Sequence, residues 1–181
     1  MDETTAFYLA QGISILCGIV AIITMQLKNM KTILVFQIIV NFTALLNYLL
    51  LGGNSGAMVS LLAIIQAVVM FLYSARKRKP HLVVIIGFIL GYAACSTYNI
   101  IAARDLLEIL PAMAAFCFSI SLVQEKPSVF RVWAALNPTF WLPYDLFTRS
   151  YVMLLVHLSI LISSLVAMIR LDGFLGIVKK K

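Results

Sequence analysis

Acidic side chains are scarce in this chain: 7 Asp and Glu stand among 181 residues, and all charged types together make up 12%. So little charge cannot clothe a water-soluble domain of this length, and that class is excluded. Histidine is rarer still, with His81 in a polar stretch and His157 alone in an apolar one. The pair excludes the H-E-x-x-H helix and other His-built metal centres. The 3 cysteines, Cys17, Cys95 and Cys117, are odd in number, sit in apolar runs and lack ligand spacing. They are expected to be reduced packing residues, with no metal and no other cofactor. Proline is absent before Pro80, so no apolar run of the first half contains one.

Enzyme signatures are missing too. No phosphate-binding G-x-x-x-x-G-K-[ST] occurs, and the nearest approach to a nucleophile elbow, Gly53-Asn54-Ser55-Gly56, has the wrong register. An intramembrane hydrolase could pair His157 with Ser159, Ser163 or Ser164, but serines in membrane helices usually serve packing or bond back to the i−4 carbonyl. The chain is therefore expected not to be an enzyme.

What is abundant is hydrocarbon: 62% of residues are apolar and the mean hydropathy is +1.02. A helix of about 20 apolar residues matches a hydrocarbon core of roughly 30 Å, and helices satisfy their own backbone amides there. Seven such runs are present, at about 5–25, 32–51, 55–75, 81–99, 105–124, 128–147 and 150–171. The expected fold is all-α, a single membrane domain over 1–181 with seven transmembrane helices. Lys and Arg test that count. With the N-terminus outside, 12 of the 14 basic residues fall in inside segments, leaving only Arg104 and Arg149 outside. The positive-inside rule thus predicts an external N-terminus and a cytoplasmic C-terminus. Met1-Asp2-Glu3 lacks the basic start of a cleavable signal, so the first run is expected to stay as helix one.

The formal charge of +7 could suggest nucleic acid. The run Arg76-Lys77-Arg78-Lys79 instead flanks a span directly, as does the tail at 172–181 ending in Lys179 to Lys181, so both are topological determinants that can touch anionic headgroups. The partner expected is the lipid bilayer, not nucleic acid. Gly87-x-x-x-Gly91 permits close helix approach, either to a second copy of the chain or within its own bundle.

Polar residues inside the spans carry the functional signal, because an unpaired amide or imidazole in hydrocarbon is costly. Gln37, Asn41 and Tyr48 share one face of the second run, and Gln66 is central in the third. Asn137 and Tyr144 lie in the sixth run and His157 in the seventh. Asn41-x-Thr43-x4-Tyr48 recurs as Asn137-x-Thr139-x4-Tyr144, an offset of 96 residues that superimposes the first three runs on the last three. Asp145 falls in a last helical turn with Arg149 one turn on, and Arg104 and Glu108 repeat that spacing, so interfacial ion pairs are expected. For the amides and His157 two readings stand: interhelical hydrogen bonds, or the lining of a cavity for a neutral polar solute.

Gln26-Leu27-Lys28-Asn29-Met30-Lys31-Thr32, with Met25 where the motif has proline, resembles the PQ-loop of the MtN3/SWEET/PQ-loop superfamily. Gln11-Gly12, Gln37, Asn41, Tyr48, Leu51-Gly52 and Gly56 resemble the YgjV-type bacterial inner membrane proteins within it. The resemblance implies a 3+1+3 fold: a first triple-helix bundle over 5–75, a linker helix over 81–99 and a second bundle over 105–171. It also implies a multi-pass place in the bacterial inner (plasma) membrane. Sugar-carrying relatives hold substrate with an Asn in helices three and seven, where this chain has Gln66 and Ile162 or Ser163. Hinge prolines match only in the second half, as Pro111, Pro138 and Pro143. The W-x-x-W of the nicotinamide riboside carriers is missing, since Trp133 and Trp141 are eight residues apart. The expected function is transport of a small polar, uncharged solute by alternating access, with Gln37, Asn41, Tyr48, Gln66, Asn137, Tyr144 and His157 lining the site. The alternative is a non-transporting receptor, regulatory or structural membrane protein.

Overall fold

The computed structural model of the protein describes residues 2–52, 54–104, 107, 109–147 and 151–173, and within them seven helices and no strand. They are α1 Glu3–Gln26, α2 Met30–Leu50, α3 Asn54–Ala75, α4 Leu82–Ala103, α5 Ile109–Val123, α6 Pro127–Phe147 and α7 Tyr151–Asp172. Local chemistry sets their ends. Asn29 caps α2, its side chain accepting from the Lys31 amide at 2.9 Å, so α2 begins two residues before the expected 32. Gly52, at φ 71°, closes α2 in the left-handed conformation that suits glycine. α4 runs past 99 to Ala103 because the polar Ser96 to Asn99 stretch contains no helix breaker; the stop comes at Arg104, with φ 53°. Pro127 opens α6, where a missing N–H costs no helical bond.

α1, α2, α3, α4 and α7 are long and apolar enough to cross a membrane. α5 is apolar but has only 15 residues, about 22 Å of helix. α6 has full length but carries Arg131, Asp145, Pro138 and Pro143. The tail at 174–181 and the partners expected for Arg104 and Asp145, Glu108 and Arg149, lie outside the described residues.

Packing follows α1 against α2, α2 against α3, α5 against α6 and α6 against α7, while α7 returns to α1 and α5 lies on α3. α4 packs on α3 and α5. One end carries the α1–α2, α3–α4 and α5–α6 connections and is called the basic end below. The larger apolar core sits there, joining Met25, Met30, Ile33, Met70, Leu122 and Phe130.

Alongside that apolar core, polar side chains are buried and large apolar ones exposed to a degree that water would not tolerate. Gln66, Ser121 and Ser164 are fully buried, and Arg131 is 1% exposed, whereas Leu90 and Val83 are 62% and 80% exposed. On α3, Ala63, Ala67 and Met70 face inward while Leu61, Ile65 and Leu72 face out. Small residues inside and large apolar ones outside suit a surrounding of lipid. Gly91 follows the same logic, since a Cβ there would meet Leu62 of α3 at 3.3 Å, while Gly87 faces open space. The small-x-x-x-small pair is thus half used by the chain's own bundle.

Candidate functional site

α6 meets α7 through two polar contacts, an Asp–His hydrogen bond and an Arg–Asp ion pair. Near its far end, Asp145 is buried and its Oδ2 lies 2.6 Å from His157 Nδ1. The imidazole stacks on Trp141, with ring centroids 5.4 Å apart and planes 8° from parallel. Trp141 sits one turn before Asp145, so indole and carboxylate grip His157 from one helix face. Trp141 also meets the Tyr144 ring edge-on at 5.6 Å. Tyr48 of α2 lies within electrostatic reach of Asp145, Tyr144 and Cys17. Tyr48, Tyr144 and His157, three of the seven residues proposed from sequence, therefore lie around Asp145 in the last turn of α6; the Arg149 expected to pair with it falls outside the described residues.

The position of Tyr48 depends on Gly56. A Cβ at Gly56 would sit 2.5 to 2.7 Å from the Tyr48 ring atoms, so the ring lies against the α3 backbone only because no side chain intervenes. Gly56→Ala is expected to destabilise the protein by about 1–3 kcal/mol through overpacking. Adding Tyr48→Ala should return most of that loss in thermal unfolding; additive penalties would show that the two residues do not share this space.

The amides are placed differently. Asn41 Nδ2 donates to the Gln37 carbonyl of its own helix at 2.7 Å, and Asn137 Nδ2 donates to the Ala114 carbonyl of α5 at 2.8 Å. Gln66, 0% exposed, donates through Nε2 to the Ser119 carbonyl and hydroxyl of α5 at 3.0 and 3.1 Å. The bonds of Asn137 and Gln66 are the interhelical role weighed for such residues, whereas that of Asn41 stays within α2. Among the described residues four buried amide oxygens nevertheless have no partner, Gln26 Oε1, Gln37 Oε1, Asn47 Oδ1 and Gln66 Oε1, nor has the buried Tyr92 hydroxyl. An unsatisfied carbonyl oxygen in this setting calls for a donor from a solute or a water. The serines weighed for hydrolysis donate to the backbone carbonyls of Leu155 (from Ser159), Ile22 (from Ser163) and Arg131 (from Ser164).

At the basic end Arg131 makes the second contact. Its Nε donates to Met25 O at 2.9 Å, one Nη to Leu27 O at 2.5 Å and the other to Asp172 Oδ1 at 2.6 Å. One planar guanidinium thus ties the carbonyls ending α1 to α6 and to the last residue of α7. Gln26 adds bonds from Nε2 to the Ser163 carbonyl and hydroxyl, each 2.9 Å. Counting Arg131 as a loop charge in the sequence hid this role. The available signal was its sign: a cation in the early turns of α6 and an anion at the end of α7 each oppose their own helix dipole, and each needs a partner elsewhere.

Two clefts, of about 240 and 230 Å³, open at the basic end. The first lies between α2, α3 and α5 and the second beside the α3–α4 connection. None of the seven proposed residues borders either one; they are held within the helix packing.

Seven helices with small and polar residues inside and large apolar ones outside define a polytopic helical membrane protein. More particularly, residues 8–173 match the Imp-YgjV family, described as bacterial inner membrane protein, and the chain belongs to that family. It is a multi-pass protein of the bacterial inner membrane. No curated protein and no solved structure matches it.

Proposed function

We propose that the chain transports a small polar, uncharged solute across the inner membrane by alternating access between two three-helix bundles. The observation that supports this reading is that buried amide oxygens, among them Gln37 Oε1, Asn47 Oδ1 and Gln66 Oε1 on α2 and α3, have no hydrogen-bond partner. Carbonyl oxygens recognise hydroxyl or amide donors. The two ionisable residues buried in α6, Arg131 and Asp145, stand near its ends, which leaves the middle of that helix free of formal charge for a neutral solute. The 3+1+3 arrangement and the link to the MtN3/SWEET/PQ-loop superfamily belong to the same proposal. They are supported by the matching neighbour order of α1–α2–α3 and α5–α6–α7 and by the reciprocal contacts of α7 with α1 and α5 with α3. The distribution of Lys and Arg supports an external N-terminus and a cytoplasmic C-terminus. The chemistry requires no catalytic step and no cofactor. Gly87, left open on α4, is where a second copy would approach.

The test starts from a thermal-shift screen of the purified protein against sugars, nucleosides, vitamins and amino acids, followed by proteoliposome uptake of any stabilising compound. Gln66→Leu and Asn137→Ala are expected to lower uptake by about tenfold or more, the equivalent of roughly 1.4 kcal/mol of lost solute contacts. Wild-type uptake in both folded variants would remove these residues from the site. If no compound in the panel is either bound or carried, the transport reading fails.

A further inference from the structure

The second cleft is lined by Val69, Leu72, Tyr73, Arg76, Arg78 and His81. Its shape follows from how α3 ends. The Arg78 amide bonds to Tyr73 O at 3.0 Å and the Lys77 amide to Ser74 O at 3.2 Å, with Lys77 at φ 54°. This is the paired closure in which glycine usually takes the left-handed position. A lysine held there turns the chain sharply, so that Arg76 and Arg78 both border the cleft rather than diverging. Tyr73 meets the His81 ring edge-on at 6.1 Å and fixes the third basic group against α3.

Charge in this cleft is uncompensated. Lys79 is paired with Glu125 at 3.1 Å, but Arg76 and Arg78 have no ion-pair partner among the described residues, and no acidic residue lines the cleft. Directly beside this cationic rim is apolar surface: Val69 and Leu72 in the cleft, with Leu72, Leu82 and Val83 strongly exposed on the two flanking helices. His81 precedes α4 without making a side-chain cap, which leaves the first amides of that helix facing the same region.

We propose that this cleft binds an anionic phospholipid, its phosphate between Arg76, Arg78 and His81 and its acyl chains along Leu72, Leu82 and Val83. Guanidinium groups match phosphate oxygens in forked geometry. Free phosphate would satisfy the cations but leave the adjoining apolar surface uncovered, and that surface decides for lipid. The site is independent of any transported solute.

The experiment uses the purified full chain in neutral detergent with added dioleoylphosphatidylglycerol, dioleoylphosphatidylcholine or inorganic phosphate, read by thermal unfolding and by retained lipid in native mass spectrometry. The phosphatidylglycerol is expected to raise Tm by on the order of 4 °C more than the phosphatidylcholine, through selective binding to the folded state. Inorganic phosphate should give no rise. Arg76→Gln with Arg78→Gln should abolish the increment and the retained lipid, while Lys28→Gln with Lys31→Gln, an equal loss of charge at the same end, should keep both. His81→Gln, a milder change should the double variant fold poorly, is expected to weaken retention. Equal shifts with both lipids, the full rise with phosphate alone, undiminished retention in His81→Gln, or the same loss in the Lys28 and Lys31 control would overturn the assignment.

Discussion

Arg131→Leu is expected to destabilise the protein by about 3 kcal/mol, the lower part of the range for removing one partner of a buried ion pair, because Asp172 keeps some access to water. In a chain of this size that lowers Tm by roughly 6–12 °C. The loss has three parts, since two carbonyls of α1 lose their donor along with the carboxylate of α7. The parts can be separated. Asp172→Asn removes the ionic contact but leaves both carbonyl bonds, and should cost clearly less. Arg131→Lys keeps the charge but cannot reach three divergent acceptors with a planar fork, so it should recover less than half of the stability. Thermal unfolding in detergent measures all three; a midpoint for Arg131→Leu indistinguishable from wild type would show that the clamp contributes nothing.

The Asp145–His157 pair should show the second largest effect, and a double-mutant cycle isolates it. Asp145→Ala and His157→Ala are each expected to cost about 3 kcal/mol, because each removes one side of a buried polar contact. The double variant should cost well below the sum, with a coupling energy of about 2 kcal/mol. Asp145→Asn keeps an acceptor for the imidazole and should be milder than Asp145→Ala. Strictly additive penalties would mean that the 2.6 Å contact does not hold α6 to α7 in solution.

Local pattern made most of the fold legible. Apolar run length located seven helices; Asn29 lengthens α2, α4 continues until Arg104, and α5, expected over 105–124, is described only as Ile109–Val123. The site was legible only in part. Tyr48, Tyr144 and His157 come together around Asp145, whose contact with His157 a rule that considers only neighbours on one helix does not reach. One partner, His157, lies twelve residues on, in the next helix, and such a pairing depends on how two helices face each other. Gln37 and Asn41 do share a face, yet the side-chain amide of Asn41 is claimed by the Gln37 carbonyl one turn back, a local competitor that periodicity does not register. Gly56 entered the reading as one element of a family pattern; the structure supplies its cause in the ring of Tyr48.

The composition of α6 bears on how this protein reaches its membrane. A helix carrying Arg131, Asp145 and two prolines partitions poorly into lipid by itself. The groups that neutralise those charges, Asp172 and His157, arrive only with the next helix to be synthesised. The sixth segment is therefore polar in isolation and satisfied only beside the seventh, and Arg131 and Asp145 make the two helices one polar unit of the bundle.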